Sequence, residues 1–280
     1  MKRSYLFVPG NRPERFVKAV ASGAGAVVLD LEDAVPPEEK LAARAAVCDW
    51  LAQRQPADPG AWVRINSADT EYFEDDVRAL AAVKPLGIML PKTESAAPLR
   101  EIIRLLDTLE IPVIPIIESA LGLMNALEIA KGPRTERLAF GSIDFQLDTG
   151  ILNDAEGLLF ARSTLVITSV VARIGAPIDG VTMQIGDAAQ LQSDVARARE
   201  LGFGAKLCIH PNQVALTESG FRPSEEELRW ARAVIAASDA ASGHAVRLDN
   251  KLIDLPVVER ARRMLLDEVH PGSGDSGNSG

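Results

Sequence analysis

Residues 113–118 read Val-Ile-Pro-Ile-Ile-Glu, and residues 26–33 read Ala-Val-Val-Leu-Asp-Leu-Glu-Asp. Each stretch is apolar at consecutive positions and then ends in carboxylates. A strand with one wet face alternates between polar and apolar residues. A strand covered on both faces does not, so these runs predict buried parallel strands. Working outward, strands are expected at Ser4–Val8, Ala26–Leu31, Trp62–Ile65, Gly87–Leu90, Val113–Ile117, Arg137–Phe140, Pro177–Gly180 and Ala205–Ile209. Segments of helical period lie between them. Pro36-Pro37-Glu38-Glu39-Lys40 opens one helix, with prolines where a first turn tolerates them and acids at the positive end of the dipole. Ser95-Ala96-Ala97-Pro98 opens another, and Asp187 to Leu201 forms a third that stops at Gly202. Eight such alternations predict a closed α/β structure, a TIM (β/α)8 barrel, better than an open sheet. No Gly-x-Gly-x-x-Gly follows a strand, so the dinucleotide-binding alternative lacks its main marker.

The length agrees. A chain of 280 residues, 47% hydrophobic and 25% charged, is long enough for one barrel with residues left over. The barrel is expected over 1–222, a C-terminal helical arm over 223–271, and a mobile Gly/Ser-rich tail over 272–280. Lys and Arg number 30 against 39 Asp and Glu, a net charge of −9, which argues against nucleic acid and anionic membrane as partners. No apolar run is long enough to span a bilayer, and the apolar stretch after Met1 is too short for a signal peptide. Cys48 and Cys208 share no metal-binding spacing, and a reducing cytoplasm is the simple reading of so few cysteines.

Active sites of such barrels lie at the C-terminal ends of the strands. There the sequence puts Asp30, Glu32 and Asp33, then Arg64 and Asn66, Lys92, Glu118, Asp144, Asp179 and His210. Glu118 and Asp144 close consecutive strands, and two such carboxylates suit Mg²⁺; the alternative is that each caps the helix that follows it. Arg64 and Asn66 alternate with Ile65 and share one side; if that side is the lumen, the guanidinium faces the mouth, where it can hold a carboxylate in bidentate fashion or pair with an acid of the 30–33 cluster. The two roles are compatible. At least one of those three acids, with Asp33 a candidate substrate contact, belongs inside the mouth. Lys92 is read mainly as neutralising an acid, His210 as a packed or capping residue, and Cys208 as core. Arg12, Arg15 and Lys18 gather after the first strand, either to hold a phosphate-bearing tail or as a solvated face.

Taken together, these motifs resemble a known family. Leu6-Phe7-Val8-Pro9-Gly10-Asn11, Val28 to Val35, Val63-Arg64-Ile65-Asn66, Pro91-Lys92, Ile117-Glu118-Ser119, Phe140-Gly141-Ser142-Ile143-Asp144 and Gly204 to Pro211 occur in the order seen in the HpcH/HpaI aldolase/citrate lyase family. They are closest to its citrate lyase β-subunit-like branch and the stand-alone citramalyl-CoA lyase-like members. The resemblance implies a TIM barrel, Mg²⁺ as cofactor, and cleavage of a carbon–carbon bond in a 3-hydroxyacyl-CoA thioester, giving acetyl-CoA and pyruvate or glyoxylate. It implies Glu118 and Asp144 as metal ligands, Arg64 and Glu118 as substrate contacts, and Lys18 as a coenzyme A contact. Glu14 and Phe7 stand where some relatives carry a lysine and a tyrosine, and Arg12 and Arg15 are the expected substitutes. Lys251 to Pro256 is similar to an arm that carries an aspartate, here Asp254, into a neighbouring subunit. A homotrimer, or a dimer of trimers, is the implied assembly. The arm's apolar positions Val257, Val258, Ala261, Leu265 and Leu266 point the same way, since a closed barrel has no further core to receive them; the rival reading folds the arm onto its own chain with Asp254 capping a helix. Alternatives for function are a citrate lyase β subunit, a malyl-CoA thioesterase using Asp254 for hydrolysis, and a non-catalytic CoA-metabolite-binding protein.

Overall fold

The computed structural model describes residues 2–54, 60–240, 246–248 and 251–269; the expected tail lies outside them. Eight parallel strands close into one barrel in sequence order. They are β1 Ser4–Pro9, β2 Ala26–Asp30, β3 Trp62–Arg64, β4 Gly87–Leu90, β5 Val113–Ile117, β6 Arg137–Phe140, β7 Gly175–Asp179 and β8 Ala205–Cys208. The helices are α1 Phe16–Val20, α2 Lys40–Ala52, α3 Phe73–Val83, α4 Ala97–Leu106, α5 Ala120–Met124, α6 Ala126–Ala130, α7 Ser142–Thr149, α8 Leu159–Ala172, α9 Ala188–Leu201 and α10 Val214–Gly220. After the barrel come α11 Glu225–Ala240, a hairpin of β9 Val246–Leu248 and β10 Lys251–Ile253, and α12 Leu255–Val269.

Two apolar layers explain why the strands read as continuous runs. Tyr5, Val28, Trp62, Met89, Ile116 and Leu207 point inward and pack with one another. Leu6, Val27, Leu29, Val63, Leu90 and Ile117 point outward and pack beneath the helices. The period of two is intact, but both faces are dry. Trp62 fills the lumen so fully that a Cβ on Gly87 would lie 2.2 Å from its ring.

The strands differ from expectation at their ends. β2 stops at Asp30, one residue earlier than expected; the Leu31 N–H still donates to the Arg64 carbonyl of β3, and the chain then turns. β7 begins two residues earlier than expected, and β8 ends at Cys208. The arm's inner face is covered within its own chain: Ile253, Val258 and Ala261 are buried with Ala231 and Val234 of α11. Arg3 clamps the far end of α12 through Asp267 at 2.8 Å. An oligomer is therefore not required to bury that face, and Leu266 lies outside it at 60% exposed.

Candidate active site

Strand register builds the site. Asp30 and Arg64 are direct partners across the β2–β3 ladder, so their side chains leave the sheet on the same side. Arg64 Nε reaches Asp30 Oδ1 at 2.7 Å and Nη2 reaches Oδ2 at 2.6 Å, a two-pronged pair. Nη1 lies 2.9 Å from Glu32 Oε2. The Phe7 ring, on the inward face of β1, sits 4.8 Å from the guanidinium carbon. Asp30 is itself fixed, accepting the backbone N–H groups of Glu32 at 3.0 Å and Ala34 at 3.2 Å. The expected pairing of Arg64 with the acid cluster is thus realised: two of its N–H groups donate to Asp30, and Nη1 lies within ion-pair distance of Glu32. Burial pulls the Arg64 pKa down, but Asp30, then Glu32 and Asp33, outweigh it and the net shift is upward.

Lys92 Nζ contacts Glu32 and lies 3.4 Å from Asp33 Oδ1, which realises its expected neutralising role. Burial raises the Glu32 pKa, against the pull of Arg64 and Lys92. Asp33 is lowered in spite of its burial, through Glu32, Arg64 and Lys92. The Lys92 ammonium is raised: burial opposes the shift, and Glu32 and Asp33 dominate.

Glu118 follows β5 directly and is 5% exposed. Burial pushes its carboxyl up to about 8, the Lys92 backbone N–H opposes that, and the charge of Asp144 adds to it. A Cβ on Gly141 would lie 2.3 Å from Glu118 Oε2, so glycine makes the space this carboxylate occupies. Asp144 differs from expectation in place: it stands in the first turn of α7, beyond the end of β6. Neither acid caps a helix. Ser119 caps α5, accepting from the Gly122 N–H at 3.1 Å, and no side chain caps α7. Asp144 has no hydrogen bond or ion pair among the described residues.

Arg64, Asp30, Asp33, Glu118 and Asp144 line one cavity of about 350 Å³ at the barrel mouth, with apolar walls that include Phe7 and Phe140. Glu118 and Asp144 also line a second cavity of about 550 Å³ with Asp69, Glu94 and Asp148. The two carboxylates form the partition between an arginine-bearing chamber and an acidic one. A larger cavity of about 610 Å³, between the barrel base and α12, contains neither.

With this geometry established, comparison with known proteins is decisive. The model of the HpcH/HpaI aldolase/citrate lyase family matches residues 3–211. The chain belongs to that family. It is 36% identical over 278 residues to a citrate lyase subunit beta-like protein of Deinococcus radiodurans, covering 95% of this chain and 97% of that one. It is 32% identical over 267 residues to a (3S)-malyl-CoA thioesterase of Cereibacter sphaeroides, covering 94% and 93%. Among solved structures, CitE of Mycobacterium tuberculosis in complex with magnesium, acetoacetate and coenzyme A aligns with a TM-score of 0.83 at 35% identity, covering 95% of this chain and 97% of that one.

The family's metal can be tested against the residues present. Glu118 and Asp144 are hard oxygen donors lining the same cavity, the first raised by burial and further by the charge of the second, which is unpaired among the described residues. No group of three or more His, Cys, Asp or Glu able to hold a metal occurs among the described residues. A donor set of two carboxylates suits Mg²⁺, which keeps several waters or substrate oxygens in its shell. It does not suit a structural zinc site.

The remaining expected residues fall elsewhere. Arg12, Arg15 and Lys18 are exposed after β1, and Arg15 has only Glu14 at 3.7 Å. His210 Nδ1 accepts the Asn212 N–H at 3.2 Å, a cap. Cys208 is buried core, and it and Cys48 are free thiols. Asp254 Oδ1 accepts the Val257 N–H at 3.4 Å, capping α12 within this chain. Two features escaped the sequence reading. Phe7 under Arg64 follows from the inward parity of Tyr5 and was available in principle. The Lys92 N–H on Glu118 depends on a left-handed lysine, which no residue type announces. No helix of the described residues is long and apolar enough to cross a membrane.

Proposed function

We propose that this chain is a Mg²⁺-dependent carbon–carbon lyase acting on a citramalyl-CoA or malyl-CoA type thioester, releasing acetyl-CoA and pyruvate or glyoxylate. The observation that carries the reading is the shared chamber: an arginine clamped by Asp30 lines the same cavity as Glu118 and Asp144, and Asp144 has no partner among the described residues. Glu118 and Asp144 would hold the ion, which supplies Lewis acidity toward the hydroxyl and carboxylate of the substrate. In the reaction, the 3-hydroxyl gives its proton to solvent water at the mouth and the C3–O bond becomes a carbonyl. The electron pair of the C2–C3 bond passes into a thioester enolate, whose C2 then takes up a proton. Arg64 would hold the substrate carboxylate from the side away from the ion and balance the charge that develops on the neighbouring thioester oxygen. Phe7, Ile116 and Phe140 keep that chamber apolar, which strengthens its electrostatics. Arg12, Arg15 and Lys18 would supply positive charge for the CoA phosphates on the β1 side, while in the other chamber Asp69, Glu94 and Asp148 outnumber Lys92 and disfavour them.

The assembly belongs to the same proposal. The outer side of α8 leaves Phe160, Ile167 and Val170 exposed. Exposed apolar side chains on one helix face are a feature of association sites, and the family resemblance makes a homotrimer the assembly we propose. In it, Asp254 of one copy would approach the mouth of the next and deliver the proton to C2. A second reading, hydrolysis of the thioester, is favoured by the likeness to the malyl-CoA thioesterase. Incubation with citramalyl-, malyl- and methylmalyl-CoA in Mg²⁺, with products identified by mass, separates the two: a lyase yields acyl-CoA plus 2-oxo acid, a thioesterase free CoA plus hydroxy acid.

A further inference from the structure

Five residues other than glycine hold a positive φ among the described residues: Lys84, Lys92, Asp107, Arg134 and Arg173. Lys84, Asp107 and Arg173 stand at the C-terminal ends of α3, α4 and α8, where helices commonly stop. Arg134 lies in the turn before β6. Lys92 ends no helix. It follows β4 at the catalytic mouth with φ 48°, a conformation that a residue bearing a Cβ disfavours. Strain of this kind persists where the surroundings enforce it.

The two ends of Lys92 serve different partners. Its backbone N–H donates to Glu118, and its Nζ crosses to Glu32 and to Asp33. The other oxygen of Glu32 lies 2.9 Å from Arg64 Nη1. Glu118, Lys92, Glu32, Arg64 and Asp30 therefore form one unbroken chain of contacts across the mouth. We propose that Lys92 is a positioning residue that fixes the placement of Glu118 relative to Arg64. The proposal rests on the functional reading above. The backbone half holds the cation ligand. The ammonium half draws Glu32 Oε1 away from Arg64, so that the guanidinium keeps N–H groups free for an incoming carboxylate.

Substitution separates the halves. Lys92→Gly keeps the N–H, tolerates the left-handed backbone and removes the ammonium. Lys92→Ala removes the ammonium and retains the strain. Lys92→Arg keeps a cation. Mn²⁺ alone, followed by electron paramagnetic resonance, probes Glu118; pyruvate binding in saturating Mg²⁺, by calorimetry, probes Arg64. Mn²⁺ affinity of Lys92→Gly is expected within about threefold of wild type, with Lys92→Ala about fivefold weaker than Lys92→Gly. Pyruvate affinity is expected to fall about tenfold in both and to return to within about threefold in Lys92→Arg. Equal Mn²⁺ affinity in the glycine and alanine variants, or wild-type pyruvate affinity in both, would overturn the role of Lys92 alone. A wild-type protein that binds no Mn²⁺ would instead overturn the functional reading of the site.

Discussion

Arg64→Lys is the most informative single substitution. Arginine meets Asp30 with two N–H groups at 2.7 and 2.6 Å, and its Nη1 lies 2.9 Å from Glu32 Oε2 as an ion pair. Lysine retains the charge on one nitrogen of a shorter, non-planar group, so it cannot span both oxygens of Asp30 and still face a ligand. Asp30 is 1% exposed, and water cannot replace the lost prong. A hydrogen bond to a charged group contributes about 1.5–3 kcal/mol. Losing one such bond to the ligand and loosening the clamp behind it amounts to about 3–4 kcal/mol of transition-state stabilisation, or roughly 10²–10³ in kcat/KM. Steady-state kinetics on the CoA thioester that the wild type turns over, with thermal melting to confirm folding, give the number. A folded Arg64→Lys enzyme within about threefold of wild-type kcat/KM would refute the reasoning and make Arg64 a structural ion-pair member.

Other substitutions and conditions follow from the same geometry. Gly141→Ala introduces a Cβ 2.3 Å from Glu118 Oε2, so Mn²⁺ affinity measured by calorimetry should fall at least about tenfold while the fold survives. Glu118 titrates near 8 in the metal-free folded protein against an ordinary 4.5, so its protonated form favours folding. That contribution is complete below about 4.5 and is lost as pH rises through about 8, whereas Mg²⁺ needs the ionised form. The gain in melting temperature on adding Mg²⁺ should accordingly be small at pH 6 and large at pH 9, and an equal gain at both would contradict the shift. Truncation after Gly243 should reduce particle size by light scattering and abolish most activity with Glu118 and Asp144 untouched; unchanged size and rate would remove the arm from both assembly and catalysis.

Much of this was legible because the decisive signals are local. Apolar runs without alternation, such as Val113–Ile117, specify strands dry on both faces, and eight of them leave a closed barrel as the economical arrangement. The pairing of Arg64 with the acid cluster was foreseeable from parity, although the choice of Asp30 over Asp33 as the two-pronged partner depends on register across β2 and β3. Three features were not legible. Asp144 moved from a strand end into α7 because α7 begins at Ser142, and a one-turn difference in helix start leaves no mark in composition. The arm's apolar face was visible as a pattern, but a pattern does not say what covers it, and α11 does. The left-handed backbone of Lys92 accompanies contacts with carboxylates 26 and 60 residues away in sequence, so no local run shows it.

The central claim is that Glu118 and Asp144 hold a Mg²⁺ ion that serves carbon–carbon cleavage of a CoA thioester. The most direct test incubates wild type and Asp144→Ala with the citramalyl- and malyl-CoA panel, with Mg²⁺ and with excess EDTA, and identifies products by mass. The account predicts acetyl-CoA with pyruvate or glyoxylate from the wild type in Mg²⁺ alone, and neither from the folded variant nor in EDTA. Undiminished product formation in EDTA or by Asp144→Ala would contradict it.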